Sequence, residues 1–192
     1  MARKLLTLLP IFLSLVSFGF PAKIIRVSDG DTIVVENLET HERVKIRVWG
    51  IDTPEKFESS KLREEAIKCG VDKETIRYLG KLASKHAHRY LHPGEIVEIE
   101  PQGYGNYGRL LGKVIVNGQD YGLLMLKDGY SCVFWKTAPN AYIEAMEEAE
   151  ERKEGLWGIN HDVMECICNM YAPKGLFGIW KKIQRTVSEF LK

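Results

Sequence analysis

Residues 23–51, KIIRVSDGDTIVVENLETHERVKIRVWGI, restrict the fold more than any other stretch of the chain. Val, Ile and Thr are dense in it. Asp29-Gly30 and the segment Asn37-Leu38-Glu39-Thr40 divide it into three strand-length pieces. The pattern reads strand, turn, strand, turn, strand.

The rest of the chain has to cover that sheet. Residues 75–91 place Ile76, Leu79, Leu82, Ala83, His86, Ala87, Tyr90 and Leu91 on one stripe at helical spacing, and His92-Pro93-Gly94 stops them. EIVEIE at 95–100 alternates as a strand does, and RLLGKVIVNG at 109–118 reads as another, with a loop rich in Gly and Tyr between them. A helix is expected around 120–128, and a short apolar piece follows at Tyr130–Trp135. NAYIEAMEEAEERKEGLWG makes a last helix, with Asn140 as N-cap and Gly155 as stop. Residues 57–75 offer only a short helix near Leu62–Cys69, and residues 159–173 show no period. This order predicts an α+β chain, a five-stranded OB-type β-barrel with about three packed helices.

The chain has 192 residues, which suits one domain with an adequate core. Its formal net charge is +1, so no basic surplus announces a nucleic-acid binder. A polyanion site would have to be a local patch.

The two ends look different from the middle. Arg3 and Lys4 precede the apolar run LLTLLPIFLSLVSFGF, which has the length of a signal peptide and is short for a spanning helix. Residues 1–22 are therefore expected to be a signal peptide, cut after Gly19 or Ala22, and the protein secreted or periplasmic. An uncleaved leader would make a membrane anchor instead. Removing residues 1–19 leaves 25 basic against 26 acidic residues, a net charge of −1. Residues 23–158 form the expected domain and residues 159–192 a C-terminal extension. Within it Leu176, Ile179, Trp180, Ile183, Val187, Phe190 and Leu191 predict an amphipathic helix over 174–192, with five basic groups and one acidic. Docking on the domain and contact with a membrane surface are both open to it. The chain is expected to be a monomer.

Cys69, Cys132, Cys166 and Cys168 allow two disulfides in an exported chain, with three connectivities. Cys166 and Cys168 with His161 nearby could instead hold a metal, though the spacing matches no standard zinc pattern.

RVWGIDTPE at 47–55 carries the chemistry. Asp52-Thr53-Pro54-Glu55 has the form of a helix capping box, with Asp52 as N-cap and Glu55 reaching back. A cap accounts for Asp52 and Glu55 but not for Arg47. In SDGDT at 28–32, Asp29-Gly30 satisfies a hairpin, and Asp31 is left over at the start of the second strand. Asp52 falls at the end of the third. Antiparallel pairing of those strands would bring the two carboxylates together, where like charges need a cation or a proton between them. Oxygen-only donors suit a hard cation such as Ca²⁺. Arg47 and Arg109 would add guanidinium forks that bind phosphate oxygens.

VSDGDT, RVWGIDTPE, NYGR and the closing EGLW resemble, in that order, the micrococcal (staphylococcal-type) nuclease family over roughly residues 23–158. The resemblance implies an OB barrel and a Ca²⁺-dependent phosphodiesterase acting on DNA and RNA and leaving 3′-phosphates. It implies Asp31, Asp52 and the Thr53 carbonyl as calcium ligands. Arg47 and Arg109 would hold the phosphate, Glu55 would be the general base, and Tyr107 would lie in the nucleotide pocket. One departure stands out. The Asp-Lys pair that precedes Tyr-Gly-Arg in the family's type member is Gly105-Asn106 here. The alternative function is a non-catalytic OB module that binds nucleic acid or protein.

Overall fold

The computed structural model describes residues 19–105 and 108–173. The leader up to residue 18, Asn106, Tyr107 and the expected tail helix over 174–192, with its membrane contact, lie outside the described residues. Among the described residues no helix is long and apolar enough to cross a membrane.

The β-branched run folds as β1 (Phe20–Asp29), β2 (Thr32–Asn37) and β3 (Arg43–Val48), paired antiparallel in sequence order. β5 (Ile96–Tyr104) pairs with β1, and β6 (Leu110–Val116) pairs with β5. A parallel pairing of β3 with β6, Arg47 opposite Leu111, closes the five strands into a barrel. Closure removes the exposed sheet edges. The expected OB-type α+β fold is what the chain adopts. Register shifts in β1 and β5 bend the strands around the barrel.

Three very short strands complete the sheets. β4 (Ile51–Asp52) pairs with β8 (Cys132–Val133), and β7 (Gln119–Asp120) extends β6. The third strand therefore ends earlier than its sequence suggests. Gly50 takes φ +78° between Val48 and Ile51, and Asp52 belongs to β4 rather than to β3.

Six helices occur among the described residues. α1 (Ser60–Cys69) starts at Ser59, whose hydroxyl accepts the Leu62 N–H at 3.0 Å, and stops at Gly70 in the left-handed region. α2 (Lys73–Ala87) is capped by Asp72, and α3 (Tyr121–Lys127) by Asp120. α4 (Asn140–Glu151) stops short of Gly155, which opens the separate α5 (Gly155–Ile159). α6 (His161–Asn169) lies where no sequence period was visible. The fully buried Ile24, Ile33, Val35, Ile46, Leu79, Met125 and Trp157 come from strands and helices alike, so barrel and helices share one core.

β1 takes in the end of the expected leader. Phe20, Pro21 and Ala22 pair with Ile99, Glu98 and Val97, and Ala22 is fully buried. A cut after Gly19 leaves β1 whole, whereas one after Ala22 removes three of its residues.

The four cysteines form Cys69–Cys166 and Cys132–Cys168. α6 is thereby bonded to α1 on one side and to β8 on the other. Cys69–Cys166 closes a sequence separation of 97 residues, so its loss frees much chain entropy. The double variant Cys69→Ser/Cys166→Ser is expected to lose about 2–5 kcal/mol in urea unfolding. A loss under ~1 kcal/mol would show that α6 docks without the bond.

Candidate active site

The hairpin turn between β1 and β2 is a buried corner. Gly30 lies under Thr53, and a Cβ there would come within 2.7 Å of the Thr53 Cγ2. Tyr121, on α3, donates its hydroxyl to the Gly30 carbonyl at 2.7 Å. The turn is thus pinned from above and below, and Asp31 leaves it pointing across the mouth of the barrel.

Asp31 is only 6% exposed. Its Oδ2 accepts the Thr53 N–H at 2.9 Å and the Thr53 hydroxyl at 3.1 Å, and it pairs with Arg47 Nη1. Thr32 opposite Arg47 in the β2–β3 register brings these groups together. Arg47 Nη2 pairs with Asp52 Oδ1. One guanidinium therefore bridges the two carboxylates that the sequence placed at adjoining strand ends.

A second cation meets them from α1. Lys61 Nζ donates to Asp52 Oδ1 at 2.9 Å and to the Thr53 carbonyl at 3.0 Å, and lies 3.5 Å from Glu65 Oε1. Asp52 is therefore no helix cap. Its carboxylate is taken by Arg47 and Lys61, and the chain stays irregular until α1 begins at Ser60. Burial opposes charge on Asp31, but the Arg47 and Lys61 charges outweigh it and hold the carboxyl well below the usual range. The neighbouring Asp29 goes the other way, pushed up by burial and then by the Asp31 charge. Burial lowers Lys61, but Asp52, Asp31 and Glu65 outweigh it and keep the ammonium charged.

Glu55 sits beside this cluster. Its N–H donates to Glu65 Oε2 at 3.1 Å, and its own Oε1 accepts the Phe57 N–H at 3.0 Å. α2 presses against the same loop at Gly80, where a Cβ would meet the Pro54 carbonyl at 2.5 Å. Only glycine allows that approach. Arg109, from the turn before β6, lines the same cavity of about 250 Å³ with Asp31, Arg47, Asp52, Thr53, Glu55 and Lys61. Six of the seven expected site residues thus share one cavity, and Tyr107 lies outside the described residues.

Lys61, Glu65 and Asp29 were not singled out from the sequence. Lys61 and Glu65 are spaced i, i+4, which reads as an ordinary surface pair of a helix. Only the docking of α1 on the barrel brings them to the site.

The arrangement has the donor set of a hard-cation site. Two carboxylates and a main-chain carbonyl converge, and the oxygens of Asp52 and Thr53 already receive a positive group, the Lys61 ammonium. No group of three or more His, Cys, Asp or Glu side chains suited to a metal occurs among the described residues, so a cation here would rest on two side chains and the carbonyl.

Comparison with known proteins agrees with the fold and the motifs. A family profile described as staphylococcal nuclease homologue matches residues 45–158. That range holds Arg47, Asp52, Thr53, Glu55 and Arg109, while Asp31 precedes it. An uncharacterised protein of Bacillus anthracis is 31% identical over 150 residues, 74% of this chain and 63% of that protein. A probable endonuclease of Komagataella phaffii is 29% identical, over 58% of each chain. A thermonuclease of Staphylococcus hyicus is 26% identical, over 70% of this chain and 74% of its own. The chain thus spans less than two thirds of the first and second of these three relatives.

Burial pushes the Glu65 carboxyl up to about 7, against the Lys61 charge and the Glu55 amide that pull it down. A carboxyl raised in the folded state favours folding when protonated. That contribution is complete below about 4.5 and is lost as pH rises through about 7. Glu65→Gln cannot ionise, so it is expected to gain about 2–3 kcal/mol over wild type between pH 5 and pH 8. Urea unfolding at several pH values checks this, and parallel profiles would refute it.

Proposed function

The chain belongs to the staphylococcal nuclease family, and on that premise we propose that it is a calcium-dependent nuclease hydrolysing the phosphodiester bonds of DNA and RNA. The observation that carries this is the convergence of Asp31, Arg47, Asp52, Thr53, Glu55 and Arg109 on one cavity. A binding module has no need of a buried and a half-buried carboxylate beside a third acid and two arginines.

Asp31, Asp52 and the Thr53 carbonyl would hold Ca²⁺. Bound there, Ca²⁺ would neutralise the carboxylates and polarise a substrate phosphate. Arg47 and Arg109 would present guanidinium N–H groups to the phosphate oxygens, where charge builds in the transition state. Arg47 must turn part of its fork away from Asp31 and Asp52 to do so. Glu55 would take the proton of the attacking water, within reach of the same phosphate. Glu65, through its bond to the Glu55 N–H, fixes where that acid stands. Cleavage of the bond to the 5′ oxygen, leaving 3′-phosphates, is part of the proposal. So is export through a cleaved leader, which the two disulfides support, since such bonds persist in oxidising compartments.

A nuclease assay of the mature protein on single-stranded DNA, double-stranded DNA and RNA tests the proposal. Activity is expected with Ca²⁺ and none with chelator. Arg47→Ala, Arg109→Ala and Glu55→Ala are each expected to cost about 10²–10⁴ in rate with the fold kept. Undiminished activity in these folded variants would overturn the assignment, and a wild-type protein that binds but never cleaves would favour the non-catalytic module.

Lys61 gives a second test. Ca²⁺ and the Lys61 ammonium would compete for Asp52 Oδ1 and the Thr53 carbonyl. Lys61→Met is expected to tighten Ca²⁺ binding about tenfold by calorimetry. Unchanged or weaker binding would show that Lys61 does not compete.

A further inference from the structure

Two buried tyrosines stand behind the paired carboxylates. Tyr121 opens α3 and is fully buried, and Tyr142 on α4 is buried as well. Each meets the backbone that delivers one of the two acids.

Tyr121 acts on Asp31 through a single peptide plane. The Gly30 carbonyl and the Asp31 N–H belong to the same rigid unit. Tyr121 donates its hydroxyl to that carbonyl at 2.7 Å, and the Asp31 N–H donates to Asp29 Oδ1 at 3.2 Å. The plane is therefore held at both ends. The next carbonyl, that of Asp31 itself, accepts the Val48 N–H at 2.8 Å. These bonds set the direction in which the Asp31 side chain leaves the backbone.

Tyr142 holds the approach to Asp52 by packing. Its ring lies against Gly50, where a Cβ would come within 2.7 Å of the ring. It also meets the Trp49 ring edge-on, with centroids 6.0 Å apart. Gly50 is the break between β3 and β4, and its carbonyl accepts the Phe134 N–H at 2.8 Å. Asp52 follows two residues later, so the place of the break sets the place of Asp52.

The two tyrosines are joined at Asp120. Its Oδ1 caps α3, accepting the Gly122 N–H at 2.9 Å, and its Oδ2 accepts the Tyr142 hydroxyl at 2.6 Å. Gly122 leaves room for this crossing, since a Cβ there would come within 3.1 Å of that hydroxyl. Burial pushes both phenols up, helped by the Asp31 charge for Tyr121 and by the Asp120 bond for Tyr142, so both remain donors. Tyr142 thus fixes Asp120, Asp120 fixes the first turn of α3, and that turn carries Tyr121.

The geometry points to Tyr121, Asp120 and Tyr142 as one set of positioning residues that fixes the spacing of Asp31 and Asp52. None of the three lines the cavity. The inference rests on the reading of Asp31 and Asp52 as Ca²⁺ ligands and adds the residues that hold them at the separation a cation needs. Ca²⁺ takes its oxygens at about 2.3–2.6 Å, so a carboxylate that is free to swing binds it less well.

Two measurements on the full mature protein test this, one without metal and one with it. Native-state hydrogen exchange by NMR, without Ca²⁺, reads the Val48 and Thr53 amides, which donate to the Asp31 carbonyl and carboxylate. Tyr121→Phe is expected to speed their exchange about tenfold beyond the change in global unfolding measured in urea. Calorimetry then reads Ca²⁺ affinity. Tyr121→Phe is expected to weaken it about 10–100-fold, as loss of an outer support does at metal sites. Tyr142→Phe keeps the ring on Gly50 and should weaken it about threefold, through the lost bond to Asp120. The double variant should bind no more weakly than Tyr121→Phe alone, because the Tyr142 hydroxyl acts through Tyr121. Tyr142→Leu also withdraws the ring and should speed exchange at Phe134. Tyr90→Phe is the control. It loses a bond to Asp128, away from the cavity, and should lower stability while Ca²⁺ affinity stays at the wild-type value. Wild-type Ca²⁺ affinity in folded Tyr121→Phe would overturn the proposal, and so would unchanged exchange at Val48 and Thr53. Losses that simply multiply in the double variant would break the link through Asp120. A wild type that takes up no Ca²⁺ would refute the cation reading, and the exchange rates would still decide whether these residues hold the carboxylates.

Discussion

The Arg47 guanidinium, bridging Asp31 and Asp52, is the interaction on which the rest of the site depends. Taking a buried and a half-buried carboxylate out of water at a barrel mouth is costly unless each has a partner. Arg47 serves both at once because its planar fork carries donors on two sides. It can do so only if three separate pieces of backbone agree. β3 must place Arg47 opposite Thr32, the buried Gly30 turn must deliver Asp31, and β4 must bring Asp52 back after the break at Gly50. The barrel register is therefore also the register of the site.

The helices complete the charge balance that the barrel begins. α1 brings Lys61 to Asp52 and Thr53 and brings Glu65 to the Glu55 amide. α2 backs the same loop through Gly80, where backbone touches backbone. α6, bonded to α1 by Cys69–Cys166 and to β8 by Cys132–Cys168, ties the helical layer to the short sheet that carries Asp52. Two cations facing two carboxylates make a nearly neutral cluster. Such a cluster is stable as it stands, because each carboxylate already faces a cation.

Much of the barrel was legible because its strands obey local rules. β1, β2 and β3 are rich in β-branched residues and punctuated by Asp-Gly and Asn-led turns, and they fold where those signals lie. α2 likewise covers most of the stripe expected over 75–91, though it starts two residues earlier, behind Asp72, and ends at Ala87. The misreadings have physical causes. Asp52-Thr53-Pro54-Glu55 has the residues of a capping box, but Arg47 and Lys61 compete for the Asp52 carboxylate and win. Asn140 is the first residue of α4 rather than its cap, and Gly155 opens α5 rather than closing α4. α6 went unread because it is only nine residues long, and two of the residues that fix it, Cys166 and Cys168, act through disulfides; its buried Val163, Met164, Ile167 and Cys168 do fall on one face.

The sequence by itself determined the five barrel strands, the turn at Asp29-Gly30 and the polar groups Asp31, Arg47, Asp52, Thr53, Glu55 and Arg109 that the fold gathers at one cavity. These follow from side-chain period and turn chemistry, which act over a few residues. The tertiary structure alone decided the pairing of the four cysteines and the arrival of Lys61 and Glu65 at the site. The cysteine pairs join residues 97 and 36 positions apart, and Lys61 and Glu65 reach the site only through the docking of α1, so both are set by how the closed barrel and the docked helices fill one core. No local signal records that choice, because its free energy belongs to the packing and not to any segment.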